Sequence, residues 1–218
     1  MFKAKTLLAS FILVSSSTVN AEISSTVTFA SEYLWRGVTQ TEGDPAIQGS
    51  IDYSNENGFY AGIWGSNVNY GAAVDSDIEV DLYAGYAGNI TEDLTFDVGA
   101  IRYTFPSSTA DDFNEVYGAL GYGNFSLAVN YSDDFAGLDE DSFYYNASYS
   151  RAISEELSIS ISAGYHDLDI SNSNATDYLI GASYGFEEVN LNVAYFDYDN
   201  DTDSLDDDGV VVSVSRSF

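Results

Sequence analysis

The feature that most constrains this chain is an alternation of apolar and polar residues with period two. It recurs through nearly the whole sequence after residue 22 and is broken at regular intervals by turn residues. Successive side chains of a strand point to opposite faces, so such a pattern gives each strand one greasy and one polar side. Residues 158 to 165 read SISISAGY, with Ile159, Ile161, Ala163 and Tyr165 opposing Ser158, Ser160, Ser162 and Gly164. FSLAVNY at 125, IEVDLYAGY at 78 and VNLNVAY at 189 repeat it, and no comparable helical period follows residue 22. Twelve strands are expected, near 23–34, 46–54, 58–68, 77–87, 94–104, 113–122, 125–132, 142–151, 157–166, 176–186, 189–198 and 209–218.

The connections between them alternate in kind. Short turns such as NENG, GNITED, GN, AISEE and FEE take turns with long polar loops such as WRGVTQTEGDP, DDFAGLDED and DNDTDSLDDD. An even number of strands near ten residues long, with short turns at one end and long loops at the other, predicts an all-β transmembrane antiparallel up-and-down barrel of the outer membrane, with both termini periplasmic. Lipid offers no partner to a backbone N–H or C=O, so a spanning sheet must close on itself. A soluble sandwich would favour shorter strands and has no cause to sort its loops by length.

Residues 1–21 carry Lys3 and Lys5, an apolar run from Leu7 to Val14 and a small-residue end at Val19-Asn20-Ala21. This is the pattern of a cleaved secretory signal, and the run is too short for a spanning helix of about 20 residues. The expected organisation is therefore 1–21 as signal peptide and 22–218 as barrel. Without that segment, Arg36, Arg102, Arg151 and Arg216 stand against 35 carboxylates, a balance that excludes nucleic acid as a partner. There is no cysteine, hence no disulfide framework and no thiolate metal site.

The last strand, VVVSVSRSF, alternates and ends on an aromatic. A terminal Phe218 on such a strand resembles the signal read by the barrel assembly machinery, with Arg216 as a departure whose head can snorkel to phosphate. The segment SEYLWRGVTQTEGDPAIQGSIDYSNENGFYAGIWGSNV, followed by IEVDLYAGY and FDVGAIRYTFP, resembles the proteobacterial porin-like family called TorF or Gcw-type. The resemblance runs through about residues 22–106 and implies an outer-membrane barrel, with no catalytic residues to carry over.

Assigning the more apolar face to lipid sends Glu32, Asp52, Glu79, Asp81 and Asp97 inward, among serines, threonines and asparagines. Twelve strands enclose a narrow lumen, which Tyr83, Tyr117 and Tyr144 narrow further if inward. A negative lining on a low-dielectric wall predicts cation-favouring passage of small hydrophilic solutes. The alternative is a plugged structural or cation-binding barrel.

Extending the first strand by parity places Arg36 at the outer mouth, near Glu32, Asp52 or Glu42, and turns Trp35 outward to the aromatic girdle. Asp197, Asp199, Asp201 and Asp208 match positions 1, 3, 5 and 12 of a calcium loop. Thr202 stands where that loop needs glycine, and no glutamate closes it. Loose Ca²⁺ or Mg²⁺ binding near lipopolysaccharide is the corresponding expectation, with no other cofactor. His166, the only histidine, is expected as a polar rim residue beside Asp167 and Asp169, paired with no serine in a recognisable motif, so no enzymatic activity is expected. Homo-oligomers are common among porins, but no interface is legible.

Overall fold

A computed structural model describes residues 22–72, 74–106, 108–169, 173–201 and 207–218. Twelve strands close into an antiparallel barrel: β1 (Glu22–Ala30), β4 (Ala46–Ser54), β5 (Phe59–Asn67), β6 (Ile78–Asn89), β7 (Leu94–Thr104), β8 (Phe113–Tyr122), β9 (Phe125–Ser132), β10 (Ser142–Ala152), β11 (Leu157–Leu168), β12 (Ala175–Phe186), β13 (Val189–Asn200) and β14 (Asp207–Ser217). Between β1 and β4 lies a separate small hairpin, β2 (Leu34–Trp35) and β3 (Val38–Thr39). Each barrel strand pairs with its sequence neighbour, and β1 with β14 seals the ring through the register Thr26↔Ser217 to Ala30↔Ser213. The chain's end is tied in as well, because Phe218 N donates to Ser25 O at 2.9 Å and Ser25 N to Phe218 O at 3.3 Å. Both Glu22 and Phe218 thus lie at the short-turn end. The segment 1–21 lies outside the described residues.

The alternation sets the polarity inside out. Ile23, Phe29, Ile51, Leu127, Ile180 and Val210 are exposed on the outer face, whereas Glu79, Asp81, Glu115, Asn192 and Ser215 are buried within. Ile23 is 74 % exposed and Glu115 1 %, the reverse of a protein folded in water, where apolar area is what burial removes from solvent.

Inside, large and small side chains interlock. The Tyr83 ring lies over Gly62, Tyr60 over Gly85 and Tyr117 over Gly99, each tyrosine lying against a glycine of the adjacent strand. A flat glycine surface gives the ring a seat within a narrow lumen, and the ring covers backbone that glycine leaves bare. Any Cβ at Gly85 would collide with the Tyr60 ring and the Val98 carbonyl, whereas one at Gly118, on the outer face, meets only Val98 Cγ1 at 3.9 Å. Gly85→Val is expected to lower folding stability in reversible urea unfolding by about 1–3 kcal/mol, the usual cost of overpacking. Gly118→Ala is expected to change it by less than about 0.5 kcal/mol.

Candidate functional site

The site is built by the first long connection. β1 stops at Ala30, short of the expected residue 34: Ser31 still holds the β1–β14 register, its N–H donating to Val212 O at 2.8 Å and its Oγ accepting from Val212 N at 3.0 Å, and the chain leaves the wall after it. The chain then forms the β2–β3 hairpin, whose two-residue turn, Arg36-Gly37, has positive φ at both positions (52° and 81°). That is the requirement of the type I′ turn, which matches strand twist and favours glycine at its second position. Gln40 N donates to Tyr33 O at 2.7 Å, Tyr33 N to Thr41 Oγ1 at 3.2 Å and Asn69 N to Gln40 O at 2.8 Å. Tyr33, Ala46 and Val68 pack beneath, with Trp64 and Tyr70 beside them.

The hairpin folds into the barrel. Its tip at Gly37 meets Asp177 of β12 and Tyr198 of β13. Trp35 meets Tyr103 of β7 edge-on (centroids 5.8 Å apart), Phe113 of β8 (6.5 Å) and His166 of β11 (6.3 Å), and it stacks on Phe135 (6.0 Å) in the 3₁₀ turn Phe135–Gly137. The expectation of an outward Trp35 in the aromatic girdle is therefore corrected. Strand parity holds only while the backbone remains in the sheet, and here it leaves the sheet after Ser31.

Arg36 is fixed from three directions. Its Nη1 donates to Glu115 Oε1 at 2.9 Å and its Nη2 to Oε2 at 2.6 Å, a bidentate pair. Its Cζ lies 4.2 Å from the Trp35 ring centroid and 4.4 Å from that of Tyr144. The two side chains are 8 % and 1 % exposed, so the pair is desolvated. Glu115 Oε2 also accepts from Tyr103 OH (3.2 Å) and Asn130 Nδ2 (3.3 Å). Burial, the largest single influence, works to lower the Arg36 pKa, but Glu115, Tyr103 and Tyr144 together hold the guanidinium above its ordinary value, hence charged. The expected neighbours are corrected too. Glu32 instead faces Thr39 and Asp207, and burial raises its carboxyl against the Thr39 hydrogen bond. Glu42 abuts Gly71. Glu115 sits at an inward position of FNEVYGALGY, so parity could have found it; which inward carboxylate a loop arginine reaches is set by the hairpin.

Other carboxylates line the lumen in two tiers. Towards the long-loop end, Glu79 accepts from Tyr33 OH (3.2 Å) and Tyr70 OH (3.5 Å), Asp177 accepts from Tyr144 OH (3.0 Å), and Asp81 Oδ1 is buried with no partner among the described residues. Nearer the short turns, Tyr60 OH donates to Asp97 Oδ1 at 2.6 Å and meets Tyr117 OH, Tyr83 OH donates to Asp52, and Ser50 Oγ donates to Asp52 Oδ2 at 2.8 Å. Asp52, Glu79, Asp81 and Asp97 thus all point inward.

His166 stands two residues from the long-loop end of β11, but it is not exposed there. It is buried under Trp35, Phe135 and Tyr144, with Nε2 2.7 Å from Ser142 Oγ on the neighbouring strand. No sequence motif announces that contact, which arises from pairing β10 with β11. Ser142 is itself 1 % exposed, so the pair braces the wall and offers no accessible nucleophile. The four aspartates of the calcium-loop pattern do not share one loop. Asp197 and Asp199 lie on β13, Asp208 is paired across from Asp197 on β14, and Asp201 follows β13. Tyr195 OH donates to Asp197 (3.4 Å) and Asp208 (3.2 Å), and residues 202–206 lie outside the described residues. Among the described residues, no three of His, Asp or Glu converge as metal ligands.

Residues 15–218 match the family described as "Bacterial protein of unknown function (Gcw_chp)". No curated protein matches the sequence. Among solved structures, the KdgM porin superposes with TM-score 0.59 at 12 % identity, covering 89 % of this chain and 99 % of that one. The NanC porin does so with TM-score 0.59 at 13 % identity, with the same coverage. The KdgM porin in complex with disordered oligogalacturonate gives 0.58 at 13 %, covering 91 % and 99 %. At such identities the likeness is one of fold.

Removing one partner of a desolvated ion pair strands the other charge, which costs more than the pair contributes. Arg36→Ala is expected to lose about 3 kcal/mol or more of unfolding free energy in urea, whereas the double replacement Arg36→Met/Glu115→Leu is expected to lose clearly less than that single one.

Proposed function

The chain belongs to the Gcw_chp family, and we propose that it is an outer-membrane diffusion barrel passing small hydrophilic solutes with a preference for cations. The observation that carries this is the pairing of an apolar outer face with an inner wall of carboxylates that have almost no basic counterparts. Arg102 and Arg151 lie on the outer face, Arg102 paired with Asp112 at 3.0 Å, and Arg216 rests 5.0 Å from the Phe218 ring, also outside. Arg36 faces inward and is matched by Glu115. The remaining inward carboxylates, Asp52, Glu79, Asp81, Asp97 and Asp177, have no basic partner among the described residues. Carboxylates on a low-dielectric wall concentrate cations and repel anions. Such a lumen is unsuited to a polyanion of the oligogalacturonate kind found with KdgM, although the barrels are alike in fold. In this reading residues 1–21 direct export across the inner membrane, and Phe218 presents the final strand to the assembly machinery.

A second reading, a closed structural barrel, draws on the β2–β3 hairpin, which occupies the upper lumen. Conductance separates the two. In a planar bilayer under a tenfold KCl gradient, the refolded protein is expected to form channels whose reversal potential has the sign of cation selectivity. Asp52→Asn combined with Asp97→Asn is expected to move that potential towards zero. Absence of channels would establish the closed barrel, and anion selectivity would sink the charge argument.

A further inference from the structure

Arg36 occupies a place whose shape does not depend on Arg36. Remove the hairpin tip in thought, and the barrel wall still presents a carboxylate, Glu115, braced by Tyr103 OH and Asn130 Nδ2, with the face of Tyr144 beside it. A planar cation that donates two parallel hydrogen bonds and stacks on a ring fits this wall. An ammonium, a point charge, uses neither the fork nor the face well. Further carboxyl groups stand near this wall even with Arg36 in place. Asp81 is 5 % exposed, has an oxygen without a partner among the described residues, and lies within electrostatic range of Glu79 and Glu115. Because no three ligating side chains converge there among the described residues, an organic cation fits this wall better than a metal ion does.

We propose that Glu115, Tyr103, Asn130 and Tyr144 form a binding station for the guanidinium group of a solute, and that Arg36 is a tethered cation which fills it when no solute does. The assignment rests on the cation-favouring diffusion reading and adds to it a solute class: small molecules bearing a guanidinium. Solute and Arg36 compete for one carboxylate, so entry of the solute displaces the hairpin tip. The tip is suited to that exchange, since Arg36, a non-glycine residue, holds the left-handed conformation at φ 52°.

Chemical rescue tests the station apart from conduction. Arg36→Ala, refolded in detergent, is melted in rising millimolar methylguanidinium chloride, with NaCl and methylammonium chloride at equal ionic strength as controls. The expected result is a saturable rise of the unfolding midpoint, by about 3 °C or more at tenfold above half-saturation. The rise should be much smaller with methylammonium and absent in Arg36→Ala/Glu115→Gln. If Arg36→Ala refolds only poorly, the yield of folded barrel with and without methylguanidinium is the measure, and the same ranking of salts is expected. No response, an equal response to methylammonium, or a response that persists without the Glu115 carboxylate overturns the station. Rescue in a protein that forms no channels would uphold the station and refute the diffusion reading instead, so the two failures are distinguishable.

Discussion

A backbone amide in hydrocarbon finds no partner except another backbone, and the rest of this structure depends on that constraint. It forces β1 against β14, so that twelve strands form a ring with no free edge. Closure fixes the number of strands around the lumen, and that number fixes how little room the lumen has. It also fixes parity: in a closed sheet every second residue faces outward, which is why Leu127 and Ile180 stand exposed while Glu115 and Ser215 do not.

A narrow polar interior must then satisfy its own hydrogen bonds. Tyrosines do so from two strands away: Tyr60 of β5 reaches Asp97 of β7, Tyr83 of β6 reaches Asp52 of β4 and Tyr144 of β10 reaches Asp177 of β12. Each spans the distance over a glycine of the strand between, Gly85, Gly62 or Gly164, where a Cβ would collide with its hydroxyl. The glycines and tyrosines that are so frequent in the sequence are thus two halves of one device. It holds carboxyl groups in place along the wall through tyrosine hydroxyls.

Twelve strands, their inward and outward faces and the sorting of short and long connections could all be read from the sequence, because period two is a local signal that a closed sheet preserves. Asp52, Glu79, Asp81 and Asp97 were found by parity alone. The hairpin was not. Trp35 and Arg36 look like the continuation of β1, since EYLWR alternates well enough, and nothing within five residues reveals that the chain will leave the wall after Ser31. Nor could the sequence tell that His166 would be roofed by Phe135 and Trp35, because those contacts join two separate connections to a strand of the wall. Local pattern reaches as far as the wall, and what fills the lumen is decided by contacts between distant segments.

That division bears on why the lumen's one arginine sits on a loop rather than on a strand. An arginine on the wall would neutralise a carboxylate permanently, since a guanidinium cannot shed its proton under any ordinary condition. Carried on a hairpin tip, the same charge compensates Glu115 only while the tip is docked. The pair is desolvated and bidentate, which makes it strong when formed, and the wall around it is pre-organised by Tyr103 and Asn130, so Glu115 need not rearrange when its partner changes. Lysine would lose the fork and the two ring contacts at 4.2 and 4.4 Å, keeping the charge but not the fit. On the proposed function, this arrangement separates two properties that a fixed wall charge would merge: a preference for cations, set by the strands, and the recognition of a particular cation, set by the place that Arg36 holds.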